Sequence, residues 1–277
     1  MATQTKPITK KISRLKQLPT LPFILRELFD VLQNEQSTFV DIARVIKHDQ
    51  TITERILRVA NSPYFGHSGN VYTLEQAIMF LGYELVKGIC LGTSVFKLLD
   101  NGKKRTFSNL WRHSYEVGII AANLSDHVST IDPSISFVSG LLHDIGRVVL
   151  LTIDMERYLR IISSDDIILE EDDSFGIDHT IAGARFIEKA QLPGELILSV
   201  RYHHSPHEAP KYRKYVSVIA VAEALSRGLF PRDEDDGGWK KEHDTLLDEL
   251  GLDEEMIKNT EERAVRQALE MNEMMGC

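Results

Sequence analysis

The sequence predicts an all-α fold, and three observations carry that prediction. Apolar residues recur at helical spacing wherever a pattern is visible: Phe23, Ile24, Leu28, Val31 and Leu32; Ile42, Val45 and Ile46; Val117, Ile120, Ala121 and Leu124. Three segments open with capping chemistry, because Thr38 with Asp41, Thr51 with Glu54 and Thr73 with Gln76 are spaced to exchange side-chain to backbone hydrogen bonds. Period-two alternation, the mark of half-buried strands, is almost absent. Many short helices joined by tight loops follow, arranged as a multi-helix bundle in two lobes.

Taken in order, residues 1–13 form a flexible basic leader, in which Lys6, Lys10 and Lys11 precede Arg14 and Lys16 with no apolar stretch behind them. That pattern is not a secretory signal. Pro19 and Pro22 punctuate the chain before the first helix, and Pro63, Gly66 and Gly69 mark a loop over residues 61–70. His48-Asp49, just before Thr51, reads as a helix end followed by a cap. The polar run at 101–105 closes an N-terminal helical lobe spanning residues 14–105. A second, histidine-bearing lobe spans 106–230 and contains the Pro193-Gly194 turn. A break at 231–238, acidic and then Gly-Gly, separates residues 231–277 as a tail.

The charge is distributed unevenly. The chain of 277 residues is 43% apolar with a formal net charge of -9. Residues 1–231 hold 26 basic and 26 acidic side chains, whereas residues 232–277 hold 15 acidic and 6 basic. The tail reads as a solvated acidic helical appendage, and nothing suggests a nucleic-acid surface. No segment approaches the roughly 18 continuous apolar residues of a membrane helix. Cys90 and Cys277, far apart, fit a reducing cytoplasm and exclude a cysteine zinc site, so the protein is expected in the cytosol without nucleic-acid or membrane partners.

Chemistry concentrates in the second lobe. His143 and Asp144 stand side by side in the apolar run Leu141-Leu142-His143-Asp144-Ile145-Gly146-Arg147, and burying such a pair is costly without a partner. A metal ion is the commonest partner of neutral imidazole and carboxylate together. A lone histidine on an apolar helix is usually a hydrogen-bonded core or surface residue, but His113, His143, His179, His203 and His204 read together with Asp144. Adjacent ligands on a helix diverge by roughly 100°, so the pairs His143-Asp144 and His203-His204 suit a wide, dinuclear site with the aspartate as bridge. Imidazole and carboxylate suit iron, manganese, nickel, cobalt or zinc. His207, His127 and His243 are assigned to the surface. Asp165, Asp166 and the acidic run 170–173 read as solvated loop charge, with Asp178 capping the helix of His179.

These residues resemble the HD superfamily of metal-dependent phosphohydrolases, and more narrowly the HDOD domain, a signalling-associated relative of HD-GYP cyclic-dinucleotide phosphodiesterases. The resemblance rests on His143-Asp144-Ile145-Gly146, Leu110-Trp111-Arg112-His113-Ser114, Asp178-His179-Thr180-Ile181-Ala182-Gly183-Ala184 and Tyr202-His203-His204-Ser205-Pro206. The first lobe agrees in Leu18-Pro19-Thr20-Leu21-Pro22, His48-Asp49, Arg58-Val59-Ala60-Asn61-Ser62 and Ala77-Ile78 with Leu81-Gly82. It covers roughly residues 14–230 and implies His113, His143, Asp144, His179, His203 and His204 as ligands. Glu223, in Val221-Ala222-Glu223-Ala224-Leu225, stands where the family's last ligand is an aspartate; it is either a ligand or a solvent-facing helix residue. Asn109 stands where a third metal would need a glutamate.

Two departures bear on activity. No Gly-Tyr-Pro segment follows His204, which disfavours cyclic-dinucleotide hydrolysis, whereas Arg147 occupies a position implied to meet substrate phosphate. The first functional expectation is a bacterial signal-transduction module with a dinuclear transition-metal site, a phosphate-containing ligand there, and an N-terminal lobe that binds a signalling protein partner. The alternative is a working phosphohydrolase or phosphodiesterase acting on a nucleotide or other phosphate ester. In that case Asp144 orients the metal-bound water and Arg147 holds the phosphoryl group. A metal-free scaffold is the third reading.

Overall fold

The computed structural model describes residues 27–28, 30–31, 34, 36–47, 49–61, 65, 71–97, 104–164, 166–230 and 238–275. The leader, Pro19, Pro22, His48, residues 62–64 and 66–70, 101–103, Asp165 and the break at 231–237 lie outside them. Among the described residues there are helices and no strands, as the periodicity predicts.

In the first lobe, α1 (Phe39–Ile46) starts on Thr38, whose N–H donates to Asp41 Oδ2 at 2.9 Å. The next helix, α2 (Gln50–Ala60), is capped by Asp49, which accepts from the Ile52 N–H at 3.2 Å, and not by Thr51 as expected. A carboxylate at the N-cap answers both the unpaired amides and the positive end of the helix dipole, so the helix starts at Gln50. In α3 (Leu74–Leu81) the predicted box is present: the Gln76 N–H donates to Thr73 Oγ1 at 3.2 Å and the Thr73 N–H to Gln76 Oε1 at 3.1 Å. Asn61 ties the end of α2 to the start of this unit, donating to Val71 O at 2.7 Å and accepting from Val71 N–H at 2.9 Å. The lobes meet through α4 (Tyr83–Lys97), which packs on two helices of the second lobe, and through Lys87 Nζ, which donates to Gln191 O at 2.9 Å.

The second lobe is built around α5 (Lys104–Ser125) and α6 (Pro133–Leu142), which cross with backbone against backbone. A Cβ on Gly140 would lie 2.6 Å from the Gly118 Cα, so this approach tolerates no side chain. His143 and Asp144 then break the chain between α6 and α7 (Ile145–Ile153). The stretch Pro133–Ile153 is apolar and long enough to span a membrane by composition, but nearly all of it is buried inside the protein. Next come α8 (Met155–Ile161), α9 (Ile167–Phe175), α10 (His179–Lys189), α11 (Gly194–Tyr202) and α12 (Arg213–Leu229). Asp154, Asp166 and Asp178 cap α8, α9 and α10, the last as expected.

The acidic tail forms α13 (Lys241–Leu250) and α14 (Glu254–Met275), but it is not a fully solvated appendage. One face of it joins the core: Leu246, Leu250, Ala264 and Ala268 are buried, and α14 packs on α5. There the Asn123 amide donates to Gln267 Oε1 at 2.7 Å, both side chains being buried. His243, assigned from sequence to the surface, is buried too, because it shares the apolar face of α13 with Leu246 and Leu250. The carboxylates occupy the opposite face, which explains how so charged a segment can pack.

Candidate metal centre

The apolar helices of the second lobe bring five buried polar groups into one place. His113 comes from α5, His143 and Asp144 from the α6–α7 break, His179 from the first residue of α10, and His203 from the end of α11; His204, beside it, is the only one of the six donors not buried. What draws α7 against α10 is Gly146, where a Cβ would meet the His179 carbonyl oxygen at 1.8 Å. The start of α10 is fixed in turn by Asp178, which accepts from Ile181 N–H at 3.0 Å and from the Thr180 hydroxyl at 2.5 Å. Arg201 donates to that hydroxyl at 2.8 Å, linking α10 to α11 just before the histidine pair.

Hydrogen bonds on one ring nitrogen decide what the other can do. His143 Nδ1 lies 2.7 Å from Gly140 O, and His203 Nδ1 lies 2.9 Å from Val200 O. A backbone carbonyl can only accept, so both rings carry the proton on Nδ1 and present an unprotonated Nε2 inward when neutral. His179 Nε2 lies 3.4 Å from His203 Nε2 and 3.1 Å from His204 Nε2, so three imidazole nitrogens converge. Such a cluster is stable with a cation between the nitrogens. Burial and the neighbouring His204 push His203 well below the usual histidine range, keeping it a neutral donor.

Asp144 spans the cluster. Its Oδ2 lies 3.6 Å from His143 Nε2, while its Oδ1 lies 3.3 Å from His179 Nε2 and 3.9 Å from His203 Nε2. Neither Asp144 Oδ1 nor His143 Nε2 makes a hydrogen bond, although both atoms are buried. Two unsatisfied, adjacent acceptors in a protein interior are costly, and a metal ion satisfies both. Burial alone would raise the Asp144 carboxyl, but Arg147 and the facing imidazoles hold it well below the usual carboxylate range. The donors fall into two groups, His113 with His143 and Asp144, and His179 with His203 and His204; within each, ligand atoms lie within 4.8 Å of one another. Either group can hold a metal ion.

The remaining predicted residues take different places. Arg147 is buried and its Nε lies 3.1 Å from Asp144 Oδ2, so its charge is used on the aspartate. Glu223 is buried rather than solvent-facing, with Oε1 3.9 Å from His143 Nε2, and the Arg227 guanidinium donates to it. Burial would raise its carboxyl, but Arg227 and the histidines hold it well below the usual range. His204, Glu223 and Arg227 open onto a cavity of about 40 Å³ whose far wall is Lys240, Glu242 and His243 from the tail.

Sequence reading missed Glu171, which it placed among solvated acidic residues. The side chain is fully buried; Oε2 accepts from His179 N–H at 2.7 Å and faces His179 Nδ1 at 2.6 Å, while Oε1 accepts from the Tyr158 hydroxyl at 2.5 Å. Spacing held the signal: Ile167, Glu171 and Phe175 lie four apart, on the single buried face of α9.

A model of the HDOD domain matches residues 18–206. An uncharacterized protein of Treponema pallidum is 25% identical over 245 residues, covering 82% of this chain and 46% of that protein. The chain spans less than half the length of either curated relative it matches. Among solved structures, an HDOD domain protein of Geobacter sulfurreducens superimposes with a TM-score of 0.67 at 22% identity, covering 98% of both chains. A candidate signal transduction protein of Marinobacter aquaeolei VT8 gives 0.69 at 20% identity, covering all of this chain and 66% of that one. These structural likenesses establish the fold, and the match over residues 18–206 establishes the family: the chain belongs to the HDOD domain family.

Proposed function

We propose that this chain is a cytosolic signal-transduction module whose histidine lobe carries a dinuclear transition-metal centre and whose N-terminal lobe receives a signalling protein. The observation that carries the metal reading is Asp144, whose two oxygens face the two donor groups, Oδ2 toward His143 and Oδ1 toward His179. His113, His143 and Asp144 would hold one ion, and His179, His203 and His204, with Asp144 Oδ1 3.3 Å from His179 Nε2, would hold the other. Iron, manganese, nickel, cobalt and zinc suit these donors. Glu223, whose Oε1 lies 3.9 Å from His143 Nε2 while Arg227 donates to it, is the further candidate ligand.

Bound ions of this kind acidify a bridging water and polarise a phosphoryl oxygen. The chain's own residues favour binding over turnover. Arg147 and Arg227 are matched to Asp144 and Glu223, so each guanidinium inside the site is committed to a carboxylate. A loaded centre therefore has surplus positive charge, which favours a phosphate-containing ligand entering beside His204. Large apolar side chains on the first lobe, Phe39, Val40, Tyr72, Met79 and Phe80, are each more than half exposed, which supports protein docking there. Retention of all six donors favours phosphohydrolysis as the second reading.

Metal analysis of anaerobically purified protein is expected to give about two ions per chain, falling sharply in His143→Ala and Asp144→Ala. Metal-loaded protein is expected to be inert toward phosphomonoesters, nucleotides and linear and cyclic dinucleotides. Turnover of any of these would replace the signalling reading by the hydrolytic one, and absence of metal would leave a scaffold.

A further inference from the structure

We infer that Glu171 and Tyr158 are positioning residues of the metal centre, acting through His179; the inference rests on the metal-centre reading above. Glu171 Oε2 faces both His179 nitrogens outside the cluster, the main-chain N–H at 2.7 Å and Nδ1 at 2.6 Å. A carboxylate beside Nδ1 puts a proton on that nitrogen and leaves the Nε2 lone pair for a metal. Because the same oxygen also holds the main-chain amide, ring and helix start are fixed by one group. Nε2 then points at His203, His204 and Asp144, at 3.4, 3.1 and 3.3 Å.

Tyr158 completes the support. It is the buried residue of α8, and its hydroxyl donates to Glu171 Oε1 at 2.5 Å. With both oxygens engaged, the carboxylate cannot rotate without losing a hydrogen bond. A fully buried glutamate is expensive as a purely structural device, since an apolar side chain would fill the space at lower cost. Its use becomes intelligible if it makes His179 a more basic, better-aimed ligand, the work carboxylates do behind metal-bound imidazoles.

The test uses the full chain and Co²⁺ as the probe. Glu171→Gln keeps the shape and can still accept from both His179 nitrogens, but removes the charge. It is expected to weaken Co²⁺ binding about 10- to 100-fold, with the metal-free protein still folded by circular dichroism. Tyr158→Phe is expected to weaken binding to a smaller extent. Glu170→Gln, which removes the same charge from an exposed neighbour on the same helix, is expected to bind as wild type does. In metal-free protein at a pH where the imidazoles are neutral, histidine ¹⁵N spectra are expected to show His179 protonated on Nδ1.

Wild-type affinity in Glu171→Gln, or an Nε2–H tautomer at His179 in the wild type, overturns the inference while leaving the metal centre intact. Wild-type protein that binds no Co²⁺ refutes the metal centre and the inference with it. If Glu171→Gln does not fold, Tyr158→Phe and the wild-type spectra decide, and unchanged affinity in Tyr158→Phe then counts against the proposal.

Discussion

Replacing Gly146 by alanine perturbs the contact that brings the two halves of the candidate metal centre together. The added Cβ would lie 1.8 Å from the His179 carbonyl oxygen and 2.7 Å from the Gly183 nitrogen, both backbone atoms that no rotamer change can remove. Cβ atoms essentially never approach closer than 3.0 Å, so α7 and α10 must part by more than about 1 Å. Overpacking of this kind costs typically about 1–3 kcal/mol, which lowers the melting temperature of a domain this size by roughly 3–10 °C. The displacement matters more for the site than for the fold. Metal–ligand distances tolerate about 0.2 Å, and His179 moves relative to Asp144 while His203 and His204 stay on α11. Thermal unfolding and Co²⁺ titration read the two effects. Gly228→Ala is the control: it lies within α12, a Cβ there meets nothing within 4 Å, and helix propensity favours the change by about 0.5–1 kcal/mol. A folded Gly146→Ala protein with wild-type melting temperature and Co²⁺ affinity would refute the claim that this backbone contact sets the site.

Two further outcomes follow from other parts of the structure. Thr180, the Ile181 amide and nearby positive groups outweigh burial and hold the Asp178 carboxyl below 3.8, so its contribution is complete above that value and lost as the pH falls through the folded value. Asp178→Ala is expected to cost about 1 kcal/mol by urea unfolding at neutral pH, with the gap to wild type closing in acid; a gap that widens in acid would contradict the sign. Gln267→Ala leaves the buried Asn123 amide without its partner on α14 and is expected to cost about 1–3 kcal/mol, whereas an unchanged midpoint would mean the tail is not part of the cooperative unit.

Much of this was legible in the chain because it depends on local chemistry. Helical spacing around Ile42, Val45 and Ile46, the Thr38 and Thr73 boxes and the Asp178 cap are local, and each helix begins where those residues put it. The six side chains that gather in the site were legible because their residue types and order match a family pattern. Thr51 misled because Asp49, two residues earlier, caps the helix first by accepting from the Ile52 N–H, which leaves Thr51 inside the first turn. Glu171 misled because it stands in an acidic run whose other members face water, and its partners Tyr158 and His179 lie 13 and 8 residues away.

By itself, then, the sequence determined the helices, the family and the candidate donor residues, since caps, periodicity and residue types are written within a few residues. Only the tertiary structure decided which donors converge and what each charge is spent on. Arg147 was free to meet a phosphate until folding set it against Asp144, and Glu223 could face solvent until α12 was buried beside Arg227. The tail's carboxylates were equally visible in the chain, but only packing against α5 and α12 showed that its other face closes the core and one wall of the cavity beside His204. Those outcomes depend on helix crossings set by backbone contacts such as Gly146 against His179, and the spacing of residues along one chain does not encode the distance between two helices.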